Sequence, residues 1–152
     1  MMRIAVGADE RLPVVETILQ ILQEAGHAVQ WYGPPAGDIA PWPQVARQVA
    51  EDVAAGRADQ GILLCWTGTG VSIAANKIPG IRAALCVDAE TARGARLWND
   101  ANVLCLSMRL TTDALAKEIL QAWFATPYQP NPADDACLAL IAALDADRDA
   151  SA

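Results

Sequence analysis

The sequence predicts an α/β fold: one five-stranded parallel sheet covered on both faces by helices, with an additional C-terminal helix. Three observations carry this expectation. Five short apolar runs of strand length alternate mostly with segments whose apolar residues recur at helical spacing, and parallel strands need such long, right-handed crossovers. The run Ile62-Leu63-Leu64-Cys65 is apolar without alternation, as expected of a strand buried on both faces. The 152 residues are 53% hydrophobic and 19% charged, which is enough apolar material for a sizeable core and too little charge for disorder. The class is therefore three-layer and Rossmann-like, with residues 1–126 as the α/β domain and 127–152 as a helical extension of it.

Arg3 to Gly7 (RIAVG) is the first strand, ending at the polar edge Ala8-Asp9-Glu10. Leu12 to Ala25 places Val15, Ile18, Leu19 and Leu22 on one helical face, and Gly26 supplies the C-cap. His27 to Tyr32 is the second strand. Pro34, Pro35, Pro41 and Pro43 then stiffen a surface loop, each fixing its own φ and lacking an amide donor. Val45, Val49 and Val53 mark a helix over Gln44 to Ala55, and Asp59 to Cys65 is the third strand. A helix over Val71 to Lys77, a strand over Ile81 to Val87 and a helix over Asp88 to Trp98 with Asp88 as N-cap follow. Asn102 to Ser107 is the fifth strand. Thr111 or Thr112 caps an amphipathic helix carrying Leu115, Ile119, Leu120 and Trp123, and after three prolines Ala133 to Leu144 forms the last helix, its tail fraying into solvent. The apolar residues Leu138, Leu140, Ile141 and Leu144 of that helix can cover either the parent subunit or a partner, and a homodimer is expected.

Eighteen acidic against eleven basic residues give a net charge of −7, and no dense Lys/Arg cluster is present, which argues against nucleic acid as a partner. No apolar run reaches the ~20 residues of a bilayer span and no signal-peptide core follows Met1-Met2-Arg3, so a cytoplasmic protein without a membrane partner is expected. Cys65, Cys86, Cys105 and Cys137 are too widely spaced for a zinc knuckle or dithiol site. With a single histidine, His27, read as structural, no metal centre is expected.

The sharpest local feature is Cys65-Trp66-Thr67-Gly68-Thr69-Gly70, set between a buried strand and a helix. Its glycines allow positive φ, and successive N–H groups can be directed at an anion. The same donors favour thiolate over thiol, which suits Cys65 to proton transfer; the alternative is a small buried hydrophobe. The turn lacks the Lys-Ser/Thr of a P-loop, and no GxGxxG follows the first strand. Cys86, Cys105 and Cys137 read as packed residues. Asp9 and Glu10, at the end of strand one, offer oxygens to substrate hydroxyls, with helix capping as the alternative for Asp9. Trp42, Trp66 and Trp98 can build an aromatic wall over a ligand, whereas Trp31 and Trp123 read as packing residues.

CWTGTG, SIAANKIPGIRAALCVD and NDANVLCLSMR together resemble the ribose-5-phosphate isomerase B/galactose-6-phosphate isomerase family over residues 3–126, and ADERLP, EAGHAV and VAEDVAAGRADQGILLC fall in the family order. The resemblance implies a homodimer that moves a proton between adjacent sugar carbons through an enediol without metal or organic cofactor. It matches Cys65 to the proton-transfer cysteine, and Thr67 with Gly68, Thr69 and Gly70 to the groups that hold the enediolate. Asp9 matches the acid that contacts substrate hydroxyls, and Asn99 the amide that orients the sugar. A further group must move a proton between the substrate oxygens.

The departures matter as much. Glu10 and Trp98 stand where the resemblance leads one to expect histidines, Trp66 stands in place of a small glycine, and the C-terminal arginines that clasp phosphate have no clear counterpart near Arg148. Arg11 can return one positive charge or pair with Glu10 or Glu16, and Arg93 and Arg96 can also enter the region. The expected partner is an unphosphorylated or atypical carbohydrate, already open-chain or a keto-sugar. The alternatives are a catalytically silent carbohydrate-binding or regulatory protein, a structural homodimer without ligand, and a conventional sugar-phosphate isomerase with substituted phosphate contacts.

Overall fold

The computed structural model describes residues 1–150. Its elements run β1 (Arg3–Ala8), α1 (Pro13–Glu24), β2 (Ala28–Tyr32), α2 (Trp42–Ala54), β3 (Gln60–Cys65), α3 (Thr69–Ala75), β4 (Ala83–Leu85), α4 (Ala89–Asn99), β5 (Val103–Ser107), α5 (Asp113–Ala125) and α6 (Pro132–Ala150). All strand pairs are parallel, in the order β2-β1-β3-β5-β4. The expected three-layer α/β fold with its five-stranded sheet and C-terminal helix is therefore what the chain forms.

Successive strand side chains point to opposite faces. Ile4, Val6, Ala8, Ile62, Leu64, Leu104 and Leu106 accordingly pack with Val15, Ile18 and Leu22 of α1, Ala92 and Ala95 of α4, and Ile119, Leu120 and Trp123 of α5. Ala5, Leu63, Cys65, Val103 and Cys105 face the other way, with Val45 and Val49 of α2 and Val71 and Ala75 of α3. Trp123 donates its indole N–H to Gln60 Oε1 at 2.8 Å, so both polar groups are satisfied inside the core. Burial pushes the Cys86 thiol up to about 12 and Cys105 higher still, which leaves both as neutral core residues.

α2 lies close on the sheet because β1 and β3 carry glycines beneath it. A Cβ at Gly7 would stand 2.6 Å from Val45 Cγ1, and one at Gly61 2.7 Å from Val49 Cγ1. This approach brings Trp42, the first residue of α2, to the carboxyl ends of the strands. Pro43 is tolerated in the first helical turn, where its missing N–H would have no intrahelical partner, so α2 begins earlier than the proline pattern predicts.

Three further boundaries differ from expectation. β4 is only three residues long because side-chain amides replace its early ladder: Arg82 N–H donates to Asn102 Oδ1 and Ala83 N–H to Asn76 Oδ1, each at 2.8 Å. α6 continues to Ala150 instead of fraying after Leu144. Asp145 accepts the Gly80 N–H at 2.8 Å, and Arg148 reaches the carbonyls of Asn76 and Lys77. Cys137, expected to be packed, is exposed on α6. His27 has the expected structural role: its Nδ1 accepts the Met2 N–H at 3.1 Å and its ring stacks on Phe124. Among the described residues no helix is long and apolar enough to cross a membrane.

Candidate functional site

β1 and β3 are neighbours from which the chain departs to opposite faces, the place where open α/β sheets form ligand crevices. Ala8 is the register partner of Leu64, so Asp9 and Cys65 emerge side by side, and the two-residue alternation turns both towards the α2/α3 layer. They open into a cavity of about 260 Å³ lined by Asp9, Trp42, Cys65, Trp66, Thr67, Thr69 and Gly70.

The floor of this cavity is the turn after β3. Cys65 is 5% exposed, and its carbonyl accepts the Met108 N–H at 3.0 Å. The Trp66 carbonyl accepts the Arg109 N–H and the Ser107 hydroxyl, both at 3.0 Å, while Ser107 Oγ accepts the Leu110 N–H at 3.1 Å. Three hydrogen bonds thus hold the turn to the chain leaving β5, and the Leu110 N–H fixes the Ser107 hydroxyl, while the Trp66 indole stays exposed. Gly68 follows with φ +76°, packed on Leu85 and the Leu106 backbone. The first helical bond of α3 runs from Ser72 N–H to Gly68 C=O, so the N–H groups of Thr69, Gly70 and Val71 have no intrahelical acceptor and remain available as donors. Thr67 Oγ1 and Thr69 Oγ1 lie 2.8 Å apart.

The opposite wall is Trp42, whose ring rests on Gly70; a Cβ there would come within 3.2 Å of it. The proline loop that delivers Trp42 is pinned beside Asp9: the Asp9 carbonyl accepts the Ala40 N–H at 2.8 Å, and Glu10 bridges to Ile39.

Asp9 Oδ1 is buried with no hydrogen-bond partner. Burial pushes the carboxyl above its ordinary range, the nearby Glu10 charge adds to this, and the Asp9 and Glu10 N–H groups act the other way. A folded-state value raised above the unfolded one means that the native state binds the proton more tightly. The ionised group therefore opposes folding, by an amount that grows as pH rises from the ordinary value of 3.8 through the raised one and is full above it. Asp9→Asn is expected to melt higher than the wild type at pH 7, with the difference shrinking as the pH is lowered towards 3.8. Thermal melts across that range check this; a variant less stable at pH 7 contradicts it.

Several residues expected at the site lie elsewhere within the chain. Arg11 forms a two-pronged pair with Glu16, at 2.5 and 3.2 Å, and sits 5.1 Å from the centre of the Trp31 ring. Arg93 pairs with Glu90. Arg96 is buried, donating to Ala101 C=O and Asp100 Oδ1 over the Trp123 ring. Trp98 folds back over Gly94, and with Asn99 it lines a separate groove of about 520 Å³ between the end of α4, β4 and α6. Among the described residues no group of three or more His, Cys, Asp or Glu side chains is placed to hold a metal.

Ser107 and Arg109 escaped the sequence reading. The available signal was a polar residue closing an otherwise apolar strand, Val103-Leu104-Cys105-Leu106-Ser107, whose meaning depends on Ser107 being the register partner of Cys65.

A family model described as Ribose/Galactose Isomerase matches residues 4–137. The chain is 41% identical over 131 residues to a D-erythrulose-4-phosphate isomerase of Pectobacterium atrosepticum, covering 85% of this chain and 86% of that protein. It is also 41% identical over 130 residues to the ribose-5-phosphate isomerase B of Escherichia coli, at 85% and 87% coverage. The solved ribose-5-phosphate isomerase B of Clostridium thermocellum superposes with a TM-score of 0.92 at 34% identity, over 97% of this chain and 99% of that one.

Proposed function

The chain belongs to the ribose/galactose isomerase family, and from that premise we propose that it is a cofactor-independent sugar isomerase in which Cys65 moves a proton between adjacent carbons through an enediol. The observation that carries this reading is the shared cavity: a strand-end thiol, a buried carboxylate oxygen without a partner and a turn with free N–H groups face one space.

In the proposed reaction the Cys65 thiolate takes the proton from the carbon next to the sugar carbonyl. The C–H electron pair becomes a carbon–carbon double bond, and the carbonyl pair moves onto oxygen. Thr67 and the turn N–H groups stabilise that oxyanion, donors already aimed where the charge develops. Cys65 then returns the proton to the neighbouring carbon. Asp9 accepts a hydrogen bond from a substrate hydroxyl, and the faces of Trp42 and Trp66 cover the apolar side of the sugar.

For the substrate we propose an unphosphorylated or otherwise atypical sugar. Among the described residues no cationic side chain lines the cavity, Arg11 is occupied by Glu16, and Arg148 is turned to backbone carbonyls. A second reading, a sugar phosphate, is favoured by the names of the relatives and by the exposed Arg109 next to the turn. Turnover of D-ribose, D-erythrulose and D-galactose beside their terminal phosphate esters separates the two. We expect the higher kcat/KM with the free sugars; strong turnover of the esters alone overturns the choice.

The active form is proposed to be a homodimer. Leu140, Ile141 and Leu144 leave an apolar face of α6 exposed, and Trp98 and Asn99, remote from the Cys65 cavity of their own chain, can serve a sugar only at the cavity of a second copy.

A further inference from the structure

Aldose–ketose interconversion needs two proton movements. One is between carbons; the other takes the hydroxyl proton of the enediolate from one oxygen to its neighbour. Cys65 accounts for the first only. We propose that the Thr67–Thr69 hydroxyl pair performs the second as a two-oxygen relay, which makes Thr69 a catalytic residue; this rests on the isomerase reading above. The two hydroxyl oxygens lie 2.8 Å apart on the lining of the Cys65 cavity. The two oxygens of a cis-enediol are also at hydrogen-bond distance from each other, so the pairs can close a ring of four oxygens.

Each proton then moves along an existing hydrogen bond. The hydroxyl of the enediolate gives its proton to one threonine, that threonine passes its own to the other, and the second threonine protonates the oxyanion. Both threonines end as neutral hydroxyls, the negative charge has changed oxygens, and no co-reactant is consumed. Because an isolated threonine alkoxide is far too basic to persist, the three transfers are concerted. A single hydroxyl would have to swing between the two oxygens. A fixed pair serves the forward and reverse directions alike.

The geometry is set by the backbone. Gly68, in the left-handed conformation between the two threonines, reverses the chain so that residues 67 and 69 present their hydroxyls to each other, and its packing on Leu85 and Leu106 fixes that reversal.

The test compares wild type, Thr69→Val and Thr69→Ser in deuterated water, using the sugar from the panel above that the wild type converts fastest. Deuterium appearing on the carbon of recovered substrate reports the Cys65 step; product reports both steps. For Thr69→Val we expect conversion to fall about 100-fold while substrate labelling stays within about threefold of wild type, and Thr69→Ser to recover most of the conversion. An unchanged ratio of labelling to conversion in Thr69→Val overturns the relay and leaves the isomerase reading standing, as does equal loss of both signals with the thermal melt unchanged. A wild type that neither labels nor converts any sugar of the panel overturns both. Should Thr69→Val melt much lower than wild type, the labelling-to-conversion ratio of Thr69→Ala decides in the same way.

Discussion

Cys65→Ala is expected to remove both sugar conversion and carbon labelling, by about 10³-fold or more, while leaving the fold intact. Loss of a positioned base costs roughly 10²–10⁴ in rate, and no second thiol can substitute. Cys105 faces the same layer but is fully buried with its thiol held neutral by burial, and Cys86 belongs to the opposite layer. The structural cost is small. Cys65 is 5% exposed at the rim of the core, and removing one sulfur is comparable to removing a methylene, about 1 kcal/mol. A large kinetic effect with a small thermal one therefore separates a chemical role from a packing role. Initial rates and thermal melts of the same preparations measure both. A variant that keeps its activity, or one that loses activity only because it has unfolded, returns Cys65 to the small buried hydrophobe that the sequence also allowed.

The second large effect is expected at Gly68, and it acts on the turn instead of the chemistry. At φ +76° an L side chain is strained by roughly 1–2 kcal/mol. A Cβ would also stand 2.6 Å from Leu85 Cδ1 and 2.9 Å from the Leu106 carbonyl carbon and oxygen. The leucine tip can move, but the strand backbone cannot do so without disturbing the β3–β5 ladder, so overpacking adds about 1–3 kcal/mol. Gly68→Ala is therefore expected to lose about 2–5 kcal/mol and to displace the Thr67–Thr69 hydroxyls, with activity falling more than stability alone explains. Gly56→Ala provides the control. It has a similar φ of +73° with nothing within 4 Å of the new Cβ, so it is expected to show only the conformational cost. Equal denaturation midpoints for the two variants contradict the packing argument.

The residues that the sequence made legible are those governed by rules acting over a few positions. Short apolar runs that stop at polar or glycine-rich turns placed Cys65 and Asp9 at strand ends, and helical spacing found the buried faces of α1, α2 and α5. Asp88 and Thr112 cap α4 and α5 by accepting from Thr91 and Leu115, as the local pattern predicts. What escaped was fixed by contacts between distant segments. Asn76 and Asn102 shorten β4 by replacing ladder partners from seven and twenty positions away, which strand patterning does not reveal. For Arg11 the sequence left two readings, a ligand contact or a pair with Glu10 or Glu16; the pair with Glu16 is the one formed, and the part no local pattern showed is Trp31 on the next strand, which lies under the guanidinium. Trp98 follows Gly94 by four residues, so its ring lies over its own helix and the second groove instead of joining Trp42 and Trp66 in one chain. Ser107 clamps the turn only because β3 and β5, 41 residues apart at the bonded positions, are neighbours in the sheet.

The central claim is that a carbon-bound proton of a sugar passes through Cys65. The most direct measurement is proton NMR of each panel sugar incubated with the protein in deuterated water. The account predicts loss of the signal from the hydrogen next to the carbonyl at the rate of turnover or faster with wild type, and its persistence with Cys65→Ala. A sugar that binds yet keeps that hydrogen, or that exchanges it equally well without the sulfur, contradicts it.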